Sequence, residues 1–117
     1  MSLDVYIKSK KKEEDRKWVA NITHNMNKMA KKIFVSENKE TLCDYVWRPE
    51  ELGREIDTKE MVKILTKGIY IMISKRKSLL RYEPENGWGS YDSFLKFLIK
   101  YKEACEDHPG YIIEASR

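Results

Sequence analysis

The amino-acid sequence predicts an α+β fold, in which a small antiparallel sheet packs on about three helices. Two observations predict it: apolar and polar residues alternate near both ends of the chain, whereas the segments between them carry apolar residues at helical spacing. We expect the N-terminal hairpin and the C-terminal strand to share one sheet, with the helices on one face. At 117 residues, the chain is expected to form a single domain over residues 1–117.

The strands are predicted from side chains that alternate between apolar and polar. Residues 3–8 alternate in this way and indicate a half-buried first strand. Residues 9–15 are polar and charged and predict a loop, after which residues 17–20 form the returning strand of a hairpin. Tyr111–Ser116 is predicted to be the last strand.

The helices are predicted from apolar residues that recur every three or four positions. Residues 21–33 carry a narrow apolar stripe. Thr58–Ser74 carries a stripe that covers about half of the helix, so we expect this central helix to be contacted from two sides. Asp57 suits its N-cap, and Ser90 suits the N-cap of a last helix that follows it.

The remaining segments are predicted to connect these elements. Residues 34–41 look like a loop, and residues 42–47 are so short and apolar that strand and helix are both open. Pro49–Leu52 suits a helical turn that Gly53 closes. Residues 83–89 contain a proline, an Asn-Gly pair and two glycines, which is typical of a structured turn.

Composition limits the class of protein. Apolar residues make up 41% and charged residues 36% of the chain, which is typical of a folded domain. The longest apolar run, residues 68–73, is too short to cross a bilayer, so we expect no membrane partner. The N-terminal segment does not have the pattern of a signal peptide, which favours a cytoplasmic location.

The sequence indicates no metal site, no cofactor and no assigned catalytic residue. His24, His108, Cys43 and Cys105 do not have the spacing of a zinc site. There is no phosphate-binding glycine loop and no nucleophile elbow. Both cysteines lie in apolar patterns, where buried free thiols are expected.

Three polar segments are the candidates for a binding site, and the first contains Asn21, Thr23, His24 and Asn25. Amide, hydroxyl and imidazole groups at the start of a helix favour anion binding, and His24 could donate to a phosphate or act as an acid or base. The alternative is that Asn21 or Thr23 only caps the helix and that His24 is simply solvated.

The second candidate segment places Arg48 beside Trp47 and before two glutamates. A guanidinium in this position can stack on the indole or bind a carboxylate or phosphate. The alternative is structural: Trp47 packs in the core and Arg48 pairs with Glu51 or Glu55.

The third candidate segment contains Asn86, Trp88 and Tyr91, with glycines on both sides of the tryptophan. Those glycines allow the backbone to approach a neighbour closely, so that Trp88 and Tyr91 form a stacking surface. Alternatively, the glycines serve tight turns and Trp88 fills the core between the central and last helices.

One face of the central helix is basic and includes an aromatic residue. It carries Lys63, Lys67, Tyr70, Ser74 and Lys77. Such a face is a weak nucleic-acid footprint. A solvated face is the alternative, because the net charge of the chain is only +4.

Five segments form a recurring layout over nearly the whole chain: residues 2–6, residues 20–30, residues 47–51, residues 84–91 and residues 116–117. In this layout the chain resembles an uncharacterised family of small proteins encoded by bacteriophages and prophages. The resemblance implies an origin in a phage or prophage and a location inside the bacterial host cell. It also implies a host-directed or anti-defence role.

These observations lead to three functional hypotheses. The first is a non-enzymatic binding protein in which the three polar segments converge on a phosphorylated small molecule or nucleotide, or on a host protein. The second is an enzyme on nucleotides or phosphoesters, with His24 as acid or base, Glu50 or Glu51 orienting it, and Arg48 stabilising charge. The third is nucleic-acid binding through the lysine face of the central helix. The sequence leaves the oligomeric state open.

Overall fold

The predicted sheet is present and is formed by both ends of the chain. The computed structural model describes residues 1–12 and 14–117. Strands β1 (Ser2–Ser9), β2 (Arg16–Thr23) and β3 (Tyr111–Ser116) form an antiparallel sheet in the order β2-β1-β3. The α+β prediction is therefore confirmed. The predicted loop over residues 9–15 includes residue 13, which lies outside the described residues.

The two faces of the sheet differ in burial. Leu3, Val5 and Ile7 of the central strand are fully buried, so the helices cover this face. Ser2, Asp4, Tyr6 and Lys8 alternate with them and point to the opposite side. We call that side, including the β2 and β3 residues paired with these four, the outer sheet face.

Two helices of 17 residues make up most of the helical layer. They are α3 (Thr58–Ser74) and α5 (Tyr91–Asp107). The shorter helices are α1 (Asn27–Ala30), α2 (Leu42–Val46) and α4 (Arg76–Leu79), and single 3-10 turns cover His24–Met26, Pro49–Leu52 and Leu80–Tyr82. No helix in the described ranges combines the length and the apolar character that crossing a bilayer requires.

The central helix α3 begins as predicted and runs antiparallel to α5. The Asp57 carboxylate accepts the Glu60 N–H at 2.9 Å and caps the helix. Hydrogen bonds join the two helices at both ends, from the Tyr91 hydroxyl to the Met72 carbonyl and from the Thr58 hydroxyl to the His108 carbonyl.

Helix α3 is contacted from more than one side, as its wide apolar stripe predicted. It packs against α5, α2 and β3. The stripe is narrower in the structure than in the sequence, because Ile73 is 61% exposed.

The helix predicted over residues 21–33 is the main correction to the secondary structure. Strand β2 continues through Thr23, because Ile22 pairs with Leu3 and Thr23 pairs with Ser2. Helical geometry begins only at His24. The apolar residues at positions 22, 26, 29 and 33 are nevertheless all buried.

The ambiguous and turn-like segments are also settled by the structure. The open choice at residues 42–47 falls to helix α2, which Thr41 and Asp44 begin with a reciprocal capping box. Pro49–Leu52 forms the predicted helical turn, and Gly53 closes it with a φ of 78°.

Candidate functional site

The first and second polar segments meet at one end of the sheet, and the third reaches the same end through Trp88. The strands are antiparallel, so the start of β1 lies beside the ends of β2 and β3; Ser2 pairs with Thr23, and Asp4 pairs with Ser116. Two concavities lie at this end.

The first concavity is a groove beside Trp88, which we call the Trp88 groove. Its volume is about 490 Å³. It is lined by Met1, Ser2, Asn21, Thr23, Asn25 and Trp88. The groove therefore offers amide and hydroxyl groups beside an indole, and its lining side chains carry no formal charge.

The loop that carries Trp88 is fixed on both sides of the indole. The backbone N–H of Trp88 donates to the Asn86 side-chain oxygen at 2.9 Å. The side-chain amide of Asn25 donates to the backbone carbonyl of Trp88 at 3.3 Å. Gly89 has a φ of 109°, and a Cβ there would lie 2.7 Å from the Thr23 methyl group. A close backbone approach therefore requires this glycine.

The Trp88 side chain itself is left in solvent. It is 70% exposed, so it does not fill the core between α3 and α5, which was the alternative. A rigid loop that presents a large aromatic ring is typical of a contact residue, because the ring loses little entropy on binding.

The second concavity, which we call the cationic pocket, has a volume of about 180 Å³. Its lining side chains come from three separate parts of the chain: His24, Asn27, Lys31, Cys43, Trp47, Arg48 and Arg117. Three of them are permanently or normally cationic at neutral pH, so the pocket favours an anion.

His24 is held in one orientation by Trp47. The buried indole N–H of Trp47 donates to His24 Nδ1 at 3.0 Å, and Trp47 is only 2% exposed. An acceptor at Nδ1 carries no proton, so in the neutral ring the proton is on Nε2. His24 therefore has Nε2 available as a hydrogen-bond donor.

The two arginines of the pocket are oriented by glutamates. Arg48 pairs with Glu51 at 2.8 Å, and Arg117 pairs with Glu50 at 2.8 Å. The hydrogen bond with Glu51 raises the pKa of Arg48. Arg117 also donates to the Trp47 carbonyl at 2.7 Å. The structural alternative for this segment, a core Trp47 and an Arg48–Glu51 pair, is thus what the structure has.

Glutamates partly neutralise the cationic pocket. Lys31, Arg48 and Arg117 supply three positive charges, of which the two arginines pair with Glu51 and Glu50, and Asp44 acts on the pocket residue Cys43. Each glutamate bonds a single terminal nitrogen of its arginine, Nη1. The planar guanidinium has five N–H donors, so others remain for a ligand.

The predicted site residues are divided between the two concavities. Asn21, Thr23, Asn25 and Trp88 line the groove, whereas His24 and Arg48 line the cationic pocket. The prediction of a single pocket is therefore wrong in this respect. The side chain of Asn25 lines the Trp88 groove, whereas that of the neighbouring His24 lines the cationic pocket.

Two predicted site residues line neither concavity. Tyr91 is 2% exposed and its hydroxyl donates to the Met72 carbonyl, so the predicted stacking surface does not include it. Its ring also lies 5.2 Å from the Arg76 guanidinium. Asn86 accepts the Trp88 N–H and so shapes the turn.

Three residues of the cationic pocket were missed: Asn27, Lys31 and Arg117. Asn27 and Lys31 follow His24 at the helical spacing i+3 and i+7, so a signal for them was present in the sequence. Arg117 has no local signal, since it reaches the pocket only through the pairing of β3 with β1.

The geometry does not supply what the enzyme hypothesis requires. Within residues 1–12 and 14–117, the hydrogen bond of the His24 ring is to Trp47 and none is to a carboxylate; Glu50 and Glu51 bond to arginines instead. Burial raises the pKa of the Cys43 thiol, which disfavours a thiolate nucleophile. The described part of the chain holds no group of three or more His, Cys, Asp or Glu side chains placed for a metal ion.

The lysine face of α3 is separate from both concavities. Lys63, Lys67, Tyr70, Ser74 and Lys77 are all exposed. Exposure fits both a solvated face and a nucleic-acid footprint, so this hypothesis stays a prediction.

No protein-family model matches this chain, and no curated protein or solved structure matches it significantly. The resemblance to small phage and prophage proteins therefore stays a prediction. The two concavities and their side chains are accordingly the features that indicate a function.

Proposed function

We propose that this chain is a small non-enzymatic binding protein, of phage or prophage origin, that takes a phosphorylated small molecule or nucleotide inside the bacterial cell. The observation that carries the proposal is the convergence of Lys31, Arg48, Arg117 and His24 on one small pocket. A host-directed or anti-defence role is the biological setting that the phage resemblance suggests.

The donor set of the cationic pocket suits a phosphoryl group. Arginine presents a planar fork of donors that matches phosphate oxygens, and lysine adds a point charge. His24 adds a neutral donor at Nε2, held by Trp47. His24 and the two arginines are oriented by their hydrogen-bond partners before the ligand arrives, which reduces the entropic cost of binding.

The size of the pocket limits how much of the ligand it holds. Its volume of about 180 Å³ is below the roughly 300–1,000 Å³ that is common for whole small-molecule sites. We therefore place only the phosphoryl group in it. A nucleotide base would lie outside, and the exposed Trp88 beside a larger uncharged groove is a suitable stacking partner.

Isothermal titration calorimetry with inorganic phosphate and with nucleoside monophosphates tests the proposal. We expect Arg117→Gln and Lys31→Gln each to weaken binding about tenfold, because each removes a charge-assisted hydrogen bond. Lys77→Gln is the matched control, since it removes one positive charge from the exposed face of the helical layer.

Two results would overturn this function. The first is an absence of heat for all of these anions with the unmodified protein. The second is an equal loss of affinity in the Lys77→Gln control, which would mean that only net charge matters. If binding is accompanied by hydrolysis of a phosphoester that His24→Ala abolishes, the enzyme hypothesis replaces the binding one.

A further inference from the structure

The outer sheet face carries aromatic side chains that the core does not use. Tyr6 of β1 lies directly opposite Trp18 of β2, and Trp88 stands at the end of the same face. Trp18 is 52% exposed and Trp88 is 70% exposed. Two of the three tryptophans in the chain are thus exposed on one side, whereas tryptophan is usually highly buried.

Each of the two strand aromatics has a positive charge against its ring. The Arg16 guanidinium carbon lies 3.6 Å from the centre of the Tyr6 ring. The Lys100 ammonium lies 4.8 Å from the centre of the Trp18 ring. Nucleic-acid bases stack on aromatic rings and on guanidinium planes, and the phosphates between them require nearby cations.

The orientation of Trp18 is set by polar groups on the same face. Its indole N–H donates to the Asp4 carboxylate at 2.9 Å, and the Asn21 amide donates to the same oxygen at 2.9 Å. Asn21 and Ser2 in turn line the Trp88 groove. A continuous surface therefore connects Trp18 with Trp88.

The opposite end of this surface is basic. Lys8, Lys10, Lys11, Lys12, Arg16 and Lys17 lie at the end of the β1–β2 hairpin. Asp15 pairs with Lys17, and Glu114 pairs with Arg16. In sequence, residues 8–17 contain six basic and three acidic residues, and Glu114 of β3 adds one acidic residue, which leaves an excess of two positive charges.

We infer that the outer sheet face binds single-stranded nucleic acid. Bases would stack on Trp88, Trp18 and the Tyr6–Arg16 pair, and the backbone would follow toward the lysine-rich hairpin end. From Ser2 to Lys8 the central strand spans about 20 Å at roughly 3.3 Å per residue, which gives room for several unstacked bases. The lysine face of α3 has only one aromatic residue, Tyr70, and fits this ligand less well.

This inference goes beyond the cationic pocket and, apart from Trp88, which is the stacking partner in both proposals, depends on different side chains. Tyr6, Arg16, Trp18 and Lys100 do not line that pocket. Its failure is thus distinguishable from failure of the phosphate site, because Arg117→Gln should weaken phosphate binding without changing the affinity for an oligonucleotide.

Fluorescence anisotropy with labelled oligothymidylate and oligouridylate of about 12 nucleotides tests the inference, since that length is within the usual range of single-strand sites. We expect binding to a single strand, and weaker binding to a duplex of the same length. Trp18→Ala and Trp88→Ala should each weaken binding roughly tenfold, the loss expected for one stacked base. The tighter of the two polymers identifies the nucleic acid.

Two matched controls separate stacking from general effects. Tyr70→Ala removes an equally exposed aromatic ring from α3 and should leave the affinity unchanged. Replacing Lys10 and Lys11 by alanine should reduce the slope of log affinity against log salt concentration by the equivalent of about two phosphate contacts. The same change at Lys63 and Lys67 should leave that slope unchanged.

Three results would overturn the inference. They are the absence of binding at about 50 mM salt, equal binding of duplex and single strand, and an equal loss of affinity in Tyr70→Ala. If Trp18→Ala does not fold, photocrosslinking of the unmodified protein to a thiouridine oligonucleotide decides the matter. Crosslinks at Trp18 or Tyr6 support the inference, and crosslinks confined to α3 contradict it.

Discussion

The hydrogen bond between His24 and Trp47 links the candidate site to the core. Trp47 is buried against Phe94, with ring centres 5.9 Å apart, and its N–H reaches His24 at the edge of the cationic pocket. His24 is thus one half of a part-buried polar pair and is not simply solvated. Its position is determined by packing as well as by the turn in which it lies.

We predict that His24→Ala lowers the free energy of unfolding by about 1–3 kcal/mol, because the buried Trp47 N–H loses its acceptor. Trp47→Phe removes that donor. The loss in the double variant should therefore be smaller than the sum of the two single losses. Urea denaturation of the three variants measures this, and strictly additive losses would contradict the pairing.

A second prediction at this scale concerns Cys105. Burial raises the pKa of this thiol to about 12, from an ordinary value of 9.0. Above pH 9 the unfolded chain loses a proton that the folded chain keeps, so the unfolding free energy falls as pH rises toward 12. We expect a loss on the order of 1–2 kcal/mol by about pH 10.5.

Urea denaturation at several alkaline pH values checks this, with Cys105→Val as the comparison. Valine fills a similar volume and has no proton to lose, so the variant should lose stability less steeply with pH. An identical pH dependence in both proteins would show that the thiol does not contribute. Burial also raises the pKa of Tyr101, and this main cause is present in both proteins.

At the scale of elements, the long regular segments could be predicted from the sequence and the start of α1 could not. The start of α3 and the bounds of β3 follow from periodicity and from clear caps or stops. The basic residues after Ser74 favour an end of α3 there, but Leu79 and Leu80 also allow the helix to continue to Tyr82. The apolar stripe that begins at Ile22 also fits a helix, but residues 21–23 form a strand because Ile22 pairs with Leu3. Strand pairing joins residues 19 positions apart, and no local window contains it.

The glycines around Trp88 give a prediction at the scale of the loop. Gly89→Ala should cost about 1–3 kcal/mol, since it strains a positive φ and forces a Cβ against Thr23. Gly87→Ala is the matched control: its φ is also positive, but a Cβ there meets nothing within 4 Å. We expect a smaller cost of about 1 kcal/mol for the control.

Thermal unfolding measures the stability losses, and tryptophan fluorescence anisotropy, compared with a Trp88→Phe variant to isolate the signal of Trp88 among the three tryptophans, measures the order of the loop. The account expects Gly89→Ala to loosen the loop and lower the anisotropy, and Gly87→Ala to leave the loop ordered. Equal stability losses with an unchanged anisotropy would mean that the close approach to Thr23 does not hold Trp88 in place.

For the whole molecule, β1 is the element that ties the chain together. It pairs with β2 next in sequence and with β3 at the far end, while Ile113 also bonds to the Ile56 carbonyl before α3. We therefore predict one cooperative unfolding transition, with coincident curves from tryptophan fluorescence and far-UV circular dichroism. Two separated transitions would contradict the expected single domain.

The candidate site also shows the limit of sequence at this scale. The three polar segments could be identified because the fold alone does not require their polar, aromatic and glycine residues. Their division into a groove and a cationic pocket could not, since it depends on whether His24 and Asn25 follow a strand or begin a helix. Lys31 and Arg117 reach the pocket only after the sheet and the turns around it have formed.

The central claim is that the cationic pocket takes a phosphorylated ligand, and native mass spectrometry of the gently purified, untagged protein tests it most directly. The account predicts an added mass of a few hundred daltons, or its appearance when nucleoside monophosphates are added, and its loss in the Arg48→Ala, Arg117→Ala double variant. A bare protein mass before and after addition of these ligands would contradict the claim.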